Sequence, residues 1–314
     1  MSASSSARPP GTLRFGRLGG ADLLARPSLL LMGLLLVVLF APRFEGERDP
    51  YVVATVFVLA LYVSVLVHEL AHLAVARAYG MRVSTVTLHL LGGETAIEGE
   101  SRTPTQELVT SLVGPVASLV IGLGALAVVD PVGGVGADVL WSIGWVNLLV
   151  AAFNMLPGLP LDGGRVFRAV VWALTGSELK GIVAAAWAGR LAAVAIVVAV
   201  VARHVPPGRT WYVDVPLAVL VAAFLWAGAG ASLRAADRSA RINALSARAL
   251  AEPLDDAEVA HTDLPALPAT ARGTVLLRAM AARPADTYLL VDDAGTPVGV
   301  LRSTAVDDAY RRRA

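Results

Sequence analysis

Five consecutive residues, His68-Glu69-Leu70-Ala71-His72, carry the strongest chemical signal in the chain. On a helix, positions four apart face the same way, so both imidazoles can point at one ion. Glu69 directly follows the first of them and stands beside that ion without having to bind it. Zinc lowers the pKa of a water it holds to near 7, and a carboxylate so placed can take the proton. Coincidence is the bland alternative; in a chain of this composition the pattern arises by chance less than about once in a hundred sequences. There is no cysteine. Disulfides, thiolate ligands and thiol nucleophiles are therefore excluded, and a metal would have to be held by His, Asp or Glu.

Catalytic zinc usually keeps three protein ligands and one open position. The best candidate for the third is Asp162, in Asn154-Met155-Leu156-Pro157-Gly158-Leu159-Pro160-Leu161-Asp162-Gly163-Gly164-Arg165. Pro157 and Pro160 stop a helix, and Gly158, Gly163 and Gly164 permit irregular backbone. Irregular backbone at membrane depth is tolerated where it lines a cavity. Taken alone, an ordinary Pro-Gly turn with a capping Asp explains the segment equally well. Glu94 and Glu98 are the next candidates. His89 reads as a polar strand residue, and His204 and His261 read as surface residues.

The elements that would position these groups belong to a membrane protein. Of 314 residues, 56% are hydrophobic and only 16% charged, against roughly 25% charged in soluble domains. Six apolar stretches could span a bilayer: 27–41, which is short, then 51–79, 107–129, 139–156, 182–202 and 213–233. Three ionisable groups inside the second stretch cost a few kcal/mol each to insert, which argues for a functional cluster. No small-residue cleavage site follows the first apolar run, so it reads as a retained span behind a cytoplasmic leader. Basic residues flank the cytoplasmic side: the leader, Arg77, Arg82 and Arg102, then Arg165, Arg168 and Lys180, then Arg234, Arg238 and Arg241. Both termini are then inside. Under this topology the second and fourth spans both run inward, so His68, His72 and Asp162 arrive at the same side of the bilayer. That convergence favours Asp162 as ligand over the simple turn.

Between the second and third spans, Val83 to Glu98 alternates apolar and polar residues and predicts a membrane-associated β-hairpin. Beyond residue 235 the composition turns polar, and 262–308 reads strand–helix–strand–strand–helix. The expected fold class is thus an all-α polytopic membrane protein of about six transmembrane helices with a membrane-associated β-hairpin, plus a small cytoplasmic α/β module. Its expected divisions are a cytoplasmic leader (1–26), a six-span domain (27–234), and a cytoplasmic linker and module (235–314). A net charge of +1 gives nucleic-acid binding no support.

The two motifs resemble the site-2 protease family of intramembrane metalloproteases: His-Glu-x-x-His in one span, and Asn154 followed by Leu-Pro-Leu-Asp162-Gly-Gly in a later one. Order, separation and sidedness agree, over roughly residues 30–233. The resemblance implies that His68, His72 and Asp162 bind Zn2+, that Glu69 is the general base, and that Asn154 holds substrate backbone or polarises the scissile carbonyl. Gly114-Pro115-Val116-Ala117-Ser118 matches a Gly-Pro motif of the family, which often has Asn where this chain has Ser118, so no role carries over to Ser118. The six-span form with a cytoplasmic tail resembles the bacterial sporulation-protease branch. It implies a multi-pass protein of a bacterial cell membrane. The implied partners are the lipid bilayer and a membrane-spanning protein substrate, such as an anti-sigma factor or a membrane-tethered pro-protein. The tail, about 260–310, resembles a single cystathionine-β-synthase (CBS) domain. The nucleotide-binding Thr and Asp of that domain are not reproduced near Arg302 and Ala305, and a lone unit implies a homodimer through the tail. Two other functions compete. A catalytically silent metal-binding scaffold would have no need of Glu69. A CBS-regulated transporter predicts an inverted repeat of spans, which the sequence does not show.

Overall fold

Pro50 opens the longest uninterrupted apolar segment, at a position where its missing N–H costs nothing. The helix it starts, α2 (Pro50–Ala78), runs 29 residues, about 44 Å at the usual rise. It stops at Gly80, whose φ of 72° only glycine adopts freely. There the N–H of Met81 closes on the Ala76 carbonyl at 2.9 Å and that of Gly80 on Arg77 at 2.8 Å. The computed structural model describes residues 11–18, 20–46, 49–89, 92–98, 101–204, 211–254 and 264–312.

Four further helices are long and apolar enough to cross a membrane: α3 (Pro104–Ala127), α5 (Gly134–Asn154), α7 (Glu178–Arg203) and α8 (Trp211–Asn243). A short turn, α4 (Val129–Val132), joins α3 to α5. The first expected span is helix α1 (Ser28–Phe40) followed by a 3-10 turn at Ala41–Phe44. Its 13 residues fall short of the roughly 20 that span a hydrocarbon core. Small residues let neighbours approach: a side chain on Gly122 of α3 would meet the Gly144 carbonyl of α5.

A sixth long element is amphipathic, not apolar. Helix α6 (Asp162–Thr175) ends at Gly176, with φ 67°. Its polar first turn and basic residues hide it from a search for spans.

The expected hairpin is present as β3 (Arg82–His89) paired antiparallel with β4 (Gly92–Glu98). It does not stand alone. The segment expected to be only a leader supplies β1 (Leu13–Leu18) and β2 (Ala21–Ala25). The sheet order is β1-β2-β3-β4, with β2 parallel to β3 in the register Asp22↔Thr85. Ala21, Leu23, Val83 and Val86 of the sheet bury against Leu73 and Ala76 of α2. This packing docks the sheet on the half of α2 that bears the two histidines.

The chain divides into two compact units, Met1–Gly230 and Ala231–Ala314. The second contains a turn of helix, α9 (Ala247–Leu250), then β5 (Ala266–Pro268), α10 (Gly273–Ala282), β6 (Thr287–Val291), β7 (Pro297–Arg302) and α11 (Ser303–Arg311). The β5-β6-β7 sheet is parallel then antiparallel. Its core centres on Leu276, Tyr288, Leu290, Leu301 and Val306. The Tyr288 hydroxyl accepts from the Ala285 N–H at 2.9 Å and donates to the Met280 carbonyl at 3.2 Å. A buried phenol is thereby fully paired.

Candidate metal centre

His68 and His72 project from one face of α2 and are both buried. Asp162 comes from the first position of α6. His68 Nε2 lies 3.2 Å from Asp162 Oδ2, His72 Nε2 lies 3.3 Å from the same oxygen, and the two Nε2 atoms are 3.3 Å apart. A tetrahedral ion with bonds of about 2.0–2.1 Å has donor–donor edges of about 3.3–3.4 Å. The three donor atoms thus form one face of a zinc-sized tetrahedron. Among the described residues this is the one grouping of His, Asp and Glu that could hold a metal.

The far sides of both rings are held by α3. His72 Nδ1 is 2.7 Å from the Thr110 carbonyl. A carbonyl only accepts, so Nδ1 carries the proton and Nε2 presents its lone pair to the centre. His68 Nδ1 is paired with Ser118 Oγ at 3.0 Å. Between those two partners on α3 stands Gly114. A methyl group there would drive into the Nε2 atoms of both imidazoles. The Gly-Pro motif therefore clears the space into which the rings project.

Backbone economy explains the Leu-Asp-Gly-Gly run. The first turn of α6 folds back on the end of α5. A side chain on Gly163 would collide with the Met155 carbonyl, and one on Gly164 with the Gly158 backbone. Gly158 in turn lies against Gly189 of α7, and the Leu159 N–H reaches the Ala185 carbonyl at 3.3 Å. The Leu159-Pro160 bond is cis. A second anchor is ionic. Arg165, one turn after Asp162, donates from Nε to the fully buried Glu107 of α3 at 3.0 Å. Ser101 also donates to Glu107, and Arg168 lies 3.8 Å from it while pairing with Glu178. The helix that delivers Asp162 is thus clamped to the helix that orients the histidines.

Glu69 is buried and accepts from Thr95 Oγ1 of β4 at 2.7 Å. The hairpin therefore reaches the carboxylate beside the centre. Asn154, the last residue of α5, lines the same cavity of about 1000 Å³ as His68, Glu69, His72 and Asp162. So does Asn147, two turns earlier on α5, whose Nδ2 donates to the Ile143 carbonyl at 2.9 Å. The rest of the lining is largely apolar, from α1, α2, α5 and α8.

The five residues selected from sequence therefore meet at one cavity, where Ser118 and Thr95 join them; Thr110, Glu107 and Gly114 support the site from α3. For Ser118 and Gly114 the adjacent Gly-Pro motif was a usable signal. For Thr95, Thr110 and Glu107 no local pattern distinguishes them from other polar residues. His204, read as a surface residue, is mostly buried and pairs with Asp214 at 2.8 Å. The side chains of His89, Glu94 and Glu98, and all of His261, lie outside the described residues.

A model of peptidase family M50 matches residues 56–137 and 133–200. A Synechocystis protein provisionally named a zinc metalloprotease is 35% identical over 246 residues, covering 75% of this chain and 63% of the relative. Rip3 of Mycobacterium tuberculosis, provisionally named likewise, is 36% identical over 206 residues, covering 62% of this chain and 52% of its own. The chain thus spans between about half and two thirds of the length of these relatives. The solved site-2 protease from Methanocaldococcus jannaschii shares the fold, with a TM-score of 0.52 and 24% identity over 71% of this chain and 95% of that one.

Proposed function

We propose that this chain, which belongs to peptidase family M50, is a zinc metalloprotease that cleaves peptide bonds of membrane-bound proteins within or near the bilayer. The observation that carries this reading is the triangle of His68 Nε2, His72 Nε2 and Asp162 Oδ2 with Glu69 next to it, inside a helical membrane domain. When bound, zinc supplies Lewis acidity and lowers the pKa of water toward neutrality. His68, His72 and Asp162 hold it. The Thr110 carbonyl fixes the tautomer of His72, and it and Ser118 hold the tilt of the two rings. Glu69 takes the proton of the attacking water and passes it to the leaving amine, and Thr95 keeps its carboxylate aimed. Asn154 offers its carboxamide to the substrate backbone or the scissile carbonyl. The apolar lining from α1, α5 and α8 receives the flanking substrate segment.

In this reading α1 with its 3-10 turn acts as a short sixth span, which puts both termini and the metal centre on the cytoplasmic side. The substrate is a membrane-bound regulator, such as an anti-sigma factor or a tethered pro-protein. The unit after residue 230 serves as a CBS-like module that promotes self-association. Chemical crosslinking of the full chain, against a chain ending at residue 234, should show dimer only in the former.

The decisive experiment replaces the base alone. Glu69→Gln should keep one zinc per chain by elemental analysis and lower peptide-bond cleavage by about 10²–10⁴-fold. A Glu69→Gln protein that cleaves at the parental rate refutes the mechanism. Substrates held by that variant can be identified by co-purification.

A further inference from the structure

Outside the metal centre, one charged side chain sits where a membrane protein rarely keeps one. Arg190 lies close to the middle of α7, a helix that spans Glu178–Arg203. At 1.5 Å per residue it is about 18–20 Å from either helix end, near the midplane of a hydrocarbon core about 30 Å thick. Its guanidinium carbon stands 4.8 Å from the ring centre of Trp187, one turn earlier, and 5.0 Å from that of Trp226 on α8. Both indoles are about half exposed, at 53% and 49%, and the neighbouring Leu191 and Val194 are exposed as well. This face of α7 and α8 is therefore turned outward to lipid.

Arg190 Nε is shut off from the surface and has no hydrogen-bond partner, and no carboxylate pairs with Arg190 among the described residues. The two indole faces offset part of the cost of a charge at this depth. An indole is a hydrogen-bond donor only, so neither ring supplies an acceptor atom for the guanidinium N–H groups. What is missing is an acceptor at mid-membrane depth, and preferably one with negative charge.

We propose that the face of α7 and α8 bearing Arg190, Trp187 and Trp226 is a docking surface for a partner's transmembrane helix that carries one Asp or Glu near its centre. Charge complementarity selects this occupant. A headgroup phosphate lies at the bilayer edge, more than two helical turns away. A second copy of this chain is a poor fit: Glu69 and Glu107 are buried, Asp138 lies in the first turns of α5, and Glu178 and Asp214 stand at helix ends. The proposal requires only that α7 and α8 cross the membrane; it does not depend on proteolysis.

The test uses the full chain, labelled with an acceptor dye, in phosphatidylcholine vesicles. The probes are donor-labelled Leu-Ala host helices of about 20 residues with Glu, Gln or Leu at the centre. Energy transfer should show the Glu helix binding at least tenfold more tightly than the Leu or Gln helix. Arg190→Met should abolish that preference, and Arg190→Lys, which keeps the charge, should retain most of it. Both variants place less polar surface in the membrane than arginine, and their fold is checked by circular dichroism. Equal binding of the three helices overturns the proposal. So does a preference that survives Arg190→Met, one that vanishes when phosphatidylglycerol is added, or dimerisation of the chain that Arg190→Met removes.

Discussion

Each imidazole of the metal centre is used at both nitrogens, and the two outer contacts differ in kind. His72 leans on a main-chain carbonyl that mutation cannot remove, whereas His68 leans on the Ser118 hydroxyl. Ser118→Ala should therefore loosen the site through His68 alone. Zinc affinity, measured by competition with a chelator, should fall about 10–100-fold while the ligands stay intact. Unchanged affinity would mean that packing on α3 already fixes the ring. Gly114 invites a sharper experiment. Alanine is the better helix former by about 1 kcal/mol, so Gly114→Ala should leave helical content by circular dichroism unchanged. Zinc should nevertheless be absent on elemental analysis, because the new methyl occupies the space of the two Nε2 atoms. Retained zinc would show that α3 can move aside.

Among the elements, α6 had the weakest signal in the sequence and has the largest consequence in the structure. Two prolines and a glycine before it, with two more glycines in its first turn, announce irregular backbone, and Asp162 could be singled out among them. That a 14-residue amphipathic helix begins at Asp162 was hidden because its polar face is satisfied by α3 and α7, a tertiary fact with no local signature. The His-Glu-x-x-His spacing was legible because ligand geometry and helical period coincide within five residues. The β3–β4 hairpin was legible by alternation. The strands β1 and β2 were overlooked: Leu13 and Phe15 alternate with Arg14 and Gly16, but four arginines before an apolar run read first as a leader. Ser118 and Thr95 act across 50 and 26 residues of sequence, beyond the reach of any local pattern. The clamp that seats α6 is testable. Glu107 is 2% exposed, and its partners Arg165 and Arg168 retain side-chain exposures of 28% and 17%. Glu107→Gln leaves Arg165 without its counter-charge, while Arg168 keeps Glu178. It should destabilise the chain by about 3 kcal/mol, the low end for a broken buried pair because the arginines keep some solvent. Thermal unfolding in detergent reads this directly, and a midpoint within a degree of the parent would count against the clamp.

At the scale of the whole molecule, the lack of cysteine makes topology straightforward to measure. Single cysteines at Thr103 and Ser177, the N-caps of α3 and α7, should be labelled from the same side of the membrane by an impermeant maleimide. A cysteine at Ala137, near the start of α5, should react only from the other side. Labelling of all three from one side would dissolve the convergence of α2 and α6 on a shared depth, and with it the reading of the metal centre as a membrane-embedded site. The basic residues support the expected outcome: Arg77, Arg102, Arg165, Arg168 and Lys180 cluster at the ends that carry Thr103 and Ser177.

The parallel pairing of β2 with β3 has a consequence for how the chain is made. Residue 22 leaves the ribosome long before its partner, residue 85. At about 5–20 residues per second the interval is roughly 3–13 s, during which α1 and α2 are made. For that time Ala21, Leu23 and Leu24, all buried in the finished protein, wait in a strand whose one available neighbour is β1. Only when β3 emerges is the second edge of β2 paired, and only when β4 follows does Thr95 reach Glu69. The hydrogen bond from Thr95 to the Glu69 carboxylate thus forms only after all four strands are made, and it is built on a strand translated well before it.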